Sequence, residues 1–448
     1  MLQATEGLPI DVRFMLPSCV PATPLDESGA NLDYRAIDSF YDHARVQGLA
    51  EMMNYVGVVG GDKEVIAKIV AAQAHHKKID GHAPGLSGND LNAYVAAGVY
   101  SDHECADIDD AMKKLKLGQF IMIREGTAAR NLEALMPLIK SQKYFSRCMF
   151  CTDDKHPSDL LEKGHIDYIA REAINNYGVD PIIAVKAACH HASRYFLLNN
   201  RGAIAPGYLA DFAVIDNFKD FNVEMVFKKG VLYWNNGELR DFEAPKIEEY
   251  LDKRAHDTFH VSTLTPDDFR DTRQRGVLGM VPGEIITTDN GYADHVDLEK
   301  DILKIAVVER HKGTHHIGLG YIQGYGLKSG AVATSISHDS HNIIVVGTNS
   351  ADMAFAANYI VEHHGGIVVV ENGTVKGSVV LEIAGIMSDR PLTEVNDQLE
   401  AAKDAAFTLG VSRGIDPFMT LSFMALPVIP KLRITTRGVV DVDTQQYV

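Results

Sequence analysis

The chain has 448 residues, 46% of them hydrophobic and 23% charged, and a formal net charge of −17. This is the balance of a globular protein with two or three domains and an ample core, and the acidic excess argues against nucleic-acid polymers and anionic membranes as partners, because both are held by basic patches. No apolar run is long enough to span a bilayer, the N-terminus lacks the basic-then-apolar order of a signal peptide, and five cysteines build no disulfide framework in a chain this long. The expected compartment is the cytoplasm.

In chain order, the first residues read as the end of a helix followed by the strand D-V-R-F-M-L, a Pro-rich loop P-S-C-V-P-A-T-P, and the amphipathic helix N-L-D-Y-R-A-I-D-S-F-Y-D-H-A. From Gly48 to His156, short apolar runs alternate with segments of helical periodicity. The runs end in Glu51 (V-Q-G-L-A-E-M-M-N-Y), His82 (K-I-D-G-H-A-P-G), His103 and Glu104 (Y-S-D-H-E-C), Arg124 (Q-F-I-M-I-R-E-G), and Asp153, Asp154 and His156 (R-C-M-F-C-T-D-D-K-H-P). Strand alternating with helix predicts parallel strands with helical crossovers, and in a barrel of that kind the C-terminal strand ends share the catalytic face. Glu, His, His and Asp at consecutive strand ends would converge there as nitrogen and oxygen ligands for a divalent metal. Taken singly, each of these residues would also serve as a cap or turn residue. Cys148 and Cys151 form a lone C-x-x-C on an extended strand, where they face opposite ways and read as buried thiols.

Two further helices, D-L-L-E-K-G-H-I-D-Y-I-A-R-E-A-I and D-P-I-I-A-V-K-A-A-C-H-H-A-S-R-Y-F, follow and would close the barrel. Beyond Gly202 come short strands with Gly-containing turns, then a charged, partly helical linker, then a third, α+β region with the apolar strands I-L-K-I-A-V-V-E-R, N-I-I-V-V-G-T and G-G-I-V-V-V-E. H-D-S-H-N sets His338, Asp339, His341 and Asn342 just before a strand, as a polar cluster for an active site or a buried hydrogen-bond network. G-L-G-Y-I-Q-G-Y-G-L-K-S-G has neither P-loop nor Rossmann spacing and reads as turn chemistry. The H-x-E…P-C-x-x-C zinc signature is absent.

E-M-M-N-Y, D-G-H-A-P-G-L-S-G, S-D-H-E-C, M-I-R-E-G-T-A-A-R-N, F-C-T-D-D-K-H-P, H-D-S-H-N, I-A-G-I-M-S-D and D-P-F-M-T-L-S-F-M-A-L-P-V-I-P together resemble the adenine deaminases of the amidohydrolase superfamily over nearly the whole chain. The resemblance implies an α/β fold: an incomplete TIM-like (β/α) amidohydrolase barrel over 1–197, a small β-sandwich segment over 198–245, a linker over 246–275 and an α+β C-terminal domain over 276–448. It implies hydrolytic deamination of adenine to hypoxanthine and ammonia in purine salvage or adenine catabolism, by a metal-activated water. Glu51 would bridge two metals, with His82, His103 and Asp153 as further ligands. Asp153 would shuttle the proton and Glu104 would supply a second acid. Arg124, Asp154, His338 and His341 would bind substrate or support the ligands. The family expectation is a binuclear manganese or iron site; the N/O ligand set leaves zinc open.

The chain departs from the family at one point. Amidohydrolases take two ligands from an H-x-H motif on the first barrel strand, and this chain contains no H-x-H. Its opening resembles the family well past that strand, so the first strands of the barrel and the front of the β-sandwich are expected to be absent. A catalytically inactive fragment, or one half of a split deaminase served by a separate N-terminal fragment, is therefore the alternative reading. A different amidohydrolase reaction, cyclic-amide opening, is the rival within enzymes. Adenine and a second copy of the chain are the expected partners.

Overall fold

The computed structural model describes residues 1–127, 129–141, 143–281 and 284–448. It divides into two compact units, one of Met1–Ser18 with Leu32–Glu248 and the other of Cys19–Asn31 with Glu249–Val448. Each unit is described by itself.

The first unit begins with strand β1 (Phe14–Leu16), helix α1 (Tyr34–Asp38) and strand β2 (Val46–Met52). Then α2 (Tyr55–Gly60), α3 (Lys63–Ala74), β3 (Lys78–Gly81), α4 (Gly88–Ala96), β4 (Ser101–Asp102), α5 (Ile108–Lys116), β5 (Phe120–Arg124), α6 (Leu132–Lys140) and β6 (Cys148–Cys151) alternate as the periodicity predicts. The strands pair in parallel as two three-stranded sheets, β1-β2-β3 and β4-β5-β6. A bond from the Tyr100 N–H to the Ile79 carbonyl at 3.0 Å links the edge of one sheet to the edge of the next. The strands come this close because Gly81 has no side chain: a Cβ there would lie 2.2 Å from the Ser101 carbonyl. Val46, Leu49, Ile69, Ile79 and Tyr94 form one buried cluster, and Ile121, Ile123, Leu135, Ile139, Phe150 and Ile169 form a second. These layers of apolar side chains hold the crossover helices on the sheets.

Helices α7 (Pro157–Glu162), α8 (Ile166–Asn175), α9 (Pro181–Val185) and α10 (His191–Tyr195) follow, the last two joined through a π-turn at Lys186–His190. His191 is buried, its Nδ1 2.7 Å from the Cys148 carbonyl, which is a structural role. Strands β7 (Phe212–Ile215), β8 (Val223–Lys228), β9 (Val231–Asn235) and β10 (Glu238–Leu239) then form an antiparallel sheet of order β10-β9-β8-β7.

The second unit opens with α11 (Glu249–His256) and builds an eight-stranded sheet of order β12-β11-β14-β13-β16-β15-β17-β18. Its strands are β11 (Arg275–Met280), β12 (Thr287–Ala293), β13 (Ile302–Val308), β14 (Ile317–Gln323), β15 (Ala331–Thr334), β16 (Ile343–Gly347), β17 (Gly366–Glu371) and β18 (Thr374–Val380). Helices α12 (Ser350–Glu362), α13 (Leu392–Thr408) and α14 (Pro417–Met424) and a small sheet of β19 (Leu432–Thr435), β20 (Gly438–Asp441) and β21 (Gln446–Tyr447) complete it. The three apolar runs of this region are β13, β16 and β17, and their residues are almost all buried.

One reading needs correction. G-L-G-Y-I-Q is not a turn but most of β14, and Gly324, Gly326 and Gly330 beyond it take positive φ. The glycines serve close packing instead: a Cβ on Gly318 would lie 1.9 Å from the Thr435 carbonyl, and one on Gly320 would lie 2.6 Å from Val439 Cγ2. The Pro-rich loop continues into the second unit, where buried Asp26 accepts from Ser340 and the Glu27 carbonyl accepts from Asn342 at 2.7 Å. Among the described residues no helix is long and apolar enough to cross a membrane.

Candidate metal centre

Parallel pairing brings the ends of β2, β3, β4, β5 and β6 side by side, and their polar residues meet. Glu51 is the penultimate residue of β2, while His82 and His103 directly follow β3 and β4. Glu51 Oε2 lies 2.9 Å from His82 Nδ1 and 3.1 Å from His103 Nε2, and both imidazoles are buried. Glu104 Oε1 lies 3.6 Å from His82 Nδ1 and 3.7 Å from His103 Nε2. Arg124, at the end of β5, donates from Nη2 to Glu104 Oε2 at 2.8 Å and from Nη1 to both Glu104 and Asp153. Asp153 sits two residues beyond β6 at φ 80°, a left-handed conformation that costs a non-glycine residue about 1 kcal/mol and recurs at functional sites.

The remaining residues singled out in the sequence fall elsewhere. The Asp154 carbonyl accepts from the Thr127 N–H at 2.8 Å, tying the loops after β5 and β6 together. His156 occupies the N-cap of α7, its own N–H donated to Thr127 Oγ1 at 2.8 Å. His338 and His341 belong to the second unit. There His338 Nδ1 lies 3.0 Å from Asp339 Oδ1 and its ring stacks on Phe423 at 5.0 Å.

Asp80 was not among the sequence candidates. His103 Nδ1 lies 3.4 Å from Asp80 Oδ2, while Asp80 Oδ1 accepts from Ser101, whose hydroxyl is 2.6 Å from that of Tyr195. This chain turns the His103 ring so that Nε2 faces Glu51, the arrangement by which a carboxylate orients a ligating imidazole. Alternation along β3 was the available signal, because it puts Asp80 on the same face as His82. Ser101 and Tyr195 carried none.

Charge follows from this packing. Burial disfavours the Glu51 carboxylate, yet hydrogen bonds from His103 and His82 outweigh it and hold its pKa well below the usual range. Burial likewise opposes the His103 cation, but Asp80 and Glu51 raise that ring well above the ordinary imidazole value. Burial pushes Asp153 up, against the opposing charges of Arg124 and His103.

These donors suit a metal ion. Atoms around one ion at about 2.1 Å lie roughly 3.4 Å apart, close to the Glu51 separations of 2.9 and 3.1 Å. Among the described residues, two groups place one ligand atom from each member within 4.8 Å of the others: Glu51, His82 and His103, and His103, Glu104 and Asp153. His103 is common to both. The donors are carboxylate oxygens and imidazole nitrogens, the set expected for a hard or borderline divalent cation.

Metal-ligand chemistry at the ends of parallel strands defines the class: the sequence model of the Amidohydrolase family matches residues 1–233. That of the adenine deaminase C-terminal domain matches residues 284–446. The chain belongs to the adenine deaminase family of amidohydrolases. It is 44% identical over 456 residues to the adenine deaminase of Desulfatibacillum aliphaticivorans, covering 100% of this chain and 79% of that protein. It is 43% identical over 467 residues to that of Kosmotoga olearia, covering 100% of this chain and 78% of that protein. Among solved structures, a beta-aspartyl dipeptidase from Fervidobacterium islandicum aligns with a TM-score of 0.37 and 16% identity, over 46% of this chain and 61% of that one. Both matches run along the whole of this chain. Membership of the amidohydrolases implies a metal cofactor.

Proposed function

We propose that this protein hydrolyses adenine to hypoxanthine and ammonia at a centre held by Glu51, His82, His103 and Asp153, with manganese or ferrous iron as the ion. The observation that carries this is the convergence of one Glu51 oxygen on His82 at 2.9 Å and His103 at 3.1 Å, in a chain 44% identical to an adenine deaminase. A divalent metal at such a site lowers the pKa of a coordinated water from ~15.7 toward ~7, which makes it a nucleophile at neutral pH.

The protein's own groups supply the rest. Asp153 takes the proton of the attacking water and passes it to the departing amine, a role suited to a carboxyl whose pKa burial has raised. Burial works against the Glu104 carboxylate, but the charges of His82 and Arg124 outweigh it and hold it ionised, so Glu104 would relay to a ring nitrogen a proton that it first accepts from the water. Arg124 bonds to both acids and holds them at a fixed separation. Asp80 orients His103 through its Nδ1.

The test is ammonia release from adenine by the purified chain after loading with manganese or ferrous iron, with metal content measured on the same sample and cyclic amides assayed alongside. Adenine turnover that rises with metal occupancy supports the reading. Full occupancy with turnover of a cyclic amide and none of adenine overturns the substrate assignment.

A further inference from the structure

We infer that Lys114 and Asp102 form a buried clamp that positions the His82 and His103 loops against each other, which makes both of them positioning residues for the metal centre. Lys114 lies on α5 and Asp102 ends β4, and each is fully buried at 0% exposure. Lys114 Nζ donates to the Ala83 carbonyl at 2.8 Å and to Asp110 Oδ2 at 3.0 Å, and lies 3.2 Å from Asp102 Oδ2. Asp102 in turn accepts from two amides, Ala83 N–H at 3.0 Å and Glu104 N–H at 2.7 Å.

The pattern of these bonds is specific. Both polar groups of Ala83, the residue after His82, are bonded to the two ends of one ion pair. The same carboxylate holds the amide of Glu104, the residue after His103. One buried pair therefore ties together two loops that arise from different strands and carry neighbouring ligands. Neither clamp residue contacts the imidazoles through any of these bonds. The Tyr94 hydroxyl accepts from the His82 N–H at 3.0 Å, so the His82 backbone is fixed on both sides.

Core stability does not explain the pair. Taking two charges out of water costs several kcal/mol per ion, and apolar residues of similar volume often serve a core equally well or better. What an apolar pair cannot do is bond a carbonyl and two amides at defined points. Groups that fix ligand-bearing elements from behind matter for metal affinity nearly as much as the ligands themselves.

This inference rests on the metal centre proposed above, and the test separates the two. Three quantities are measured on the full chain: the manganese dissociation constant of metal-free protein, the thermal midpoint, and kcat and KM for adenine. The variants are K114M, K114M/D102N and H82A. K114M is expected to weaken manganese binding at least about tenfold and to lower kcat, while KM for adenine stays within about twofold. K114M/D102N removes the stranded charge of Asp102 and leaves only that of Asp110, so it should regain part of the thermal midpoint. Its manganese affinity should nevertheless stay weakened. If K114M folds too poorly to assay, the double variant decides alone.

Manganese affinity that returns to the wild-type value in the double variant overturns the clamp, since the pair would then act through stability only. So does affinity unchanged in both variants while H82A binds weakly. A wild-type chain that binds no manganese, or an H82A chain that binds as wild type does, removes the metal-centre reading and the clamp with it.

Discussion

The Arg124 guanidinium donates to the Glu104 carboxylate at 2.8 Å, and both side chains are buried. A second bond from the same guanidinium reaches Asp153, so one cation balances two acids inside the site. Removing it in R124M leaves two carboxylates without their counter-charge, and the chain is expected to lose about 3–5 kcal/mol of stability. R124K keeps the charge without the planar fork and should fall between the two. Urea unfolding of the three proteins measures this, and an R124M chain as stable as wild type would show that the acids do not depend on Arg124.

Asp153 holds a strained backbone conformation at φ 80° beside that guanidinium. The substitution D153N keeps the shape and removes the proton acceptor. Turnover should fall by roughly 10²-fold or more, with most of the metal still bound because Glu51, His82 and His103 remain. Steady-state kinetics and metal analysis on one preparation give both numbers. Turnover retained with metal bound would remove the proton-shuttle role.

Gly81 allows β3 to lie against the start of β4, since an added Cβ would sit 2.2 Å from the Ser101 carbonyl. G81A must push backbone aside, at a cost of about 1–3 kcal/mol, and the displaced neighbour His82 should bind metal less tightly. Gly60, in α2, has nothing within 4 Å of an added Cβ. G60A is therefore expected to match or slightly exceed wild-type stability. The difference in thermal midpoint between the two alanine variants is the measurement.

In the second unit, burial raises the Asp26 carboxyl to about 7, against a hydrogen bond from Ser340 and with Asp339 and Glu27 nearby. A native-state pKa above the unfolded value means that the folded protein binds the proton more tightly. The stability gained from the neutral acid is present below about pH 4 and is lost as the pH rises through about 7. Over that window the loss is on the order of 4 kcal/mol. D26N, neutral at every pH, should flatten this part of the profile of unfolding free energy against pH. An unchanged slope between pH 4 and 7 would assign the dependence to other groups.

The alternation of strand and helix from β2 to β6 was legible in the sequence because apolar periodicity records it directly. With parallel strands assumed, the residues just past each strand had to share one face, and Glu51, His82, His103, Glu104, Arg124 and Asp153 could be named as one set. Long motifs carried the family. Alternation along β3 likewise sets Asp80 on the same face as His82.

Other features depended on which backbones come together, and that is set by tertiary packing rather than by local pattern. Lys114 reads as one more cation in the basic last turn of an amphipathic helix, yet it points into the core to meet Asp102 and the Ala83 carbonyl. Tyr195 reaches the His103 support from 94 residues beyond Ser101. The glycines of β14 look like turn residues until β19 and β20 are packed against them. Periodicity reports which face of an element is buried, because burial of apolar surface is what selects it. It does not report which polar atom waits on the other side, and that partner turned a list of ligand-type residues into a site with a defined geometry.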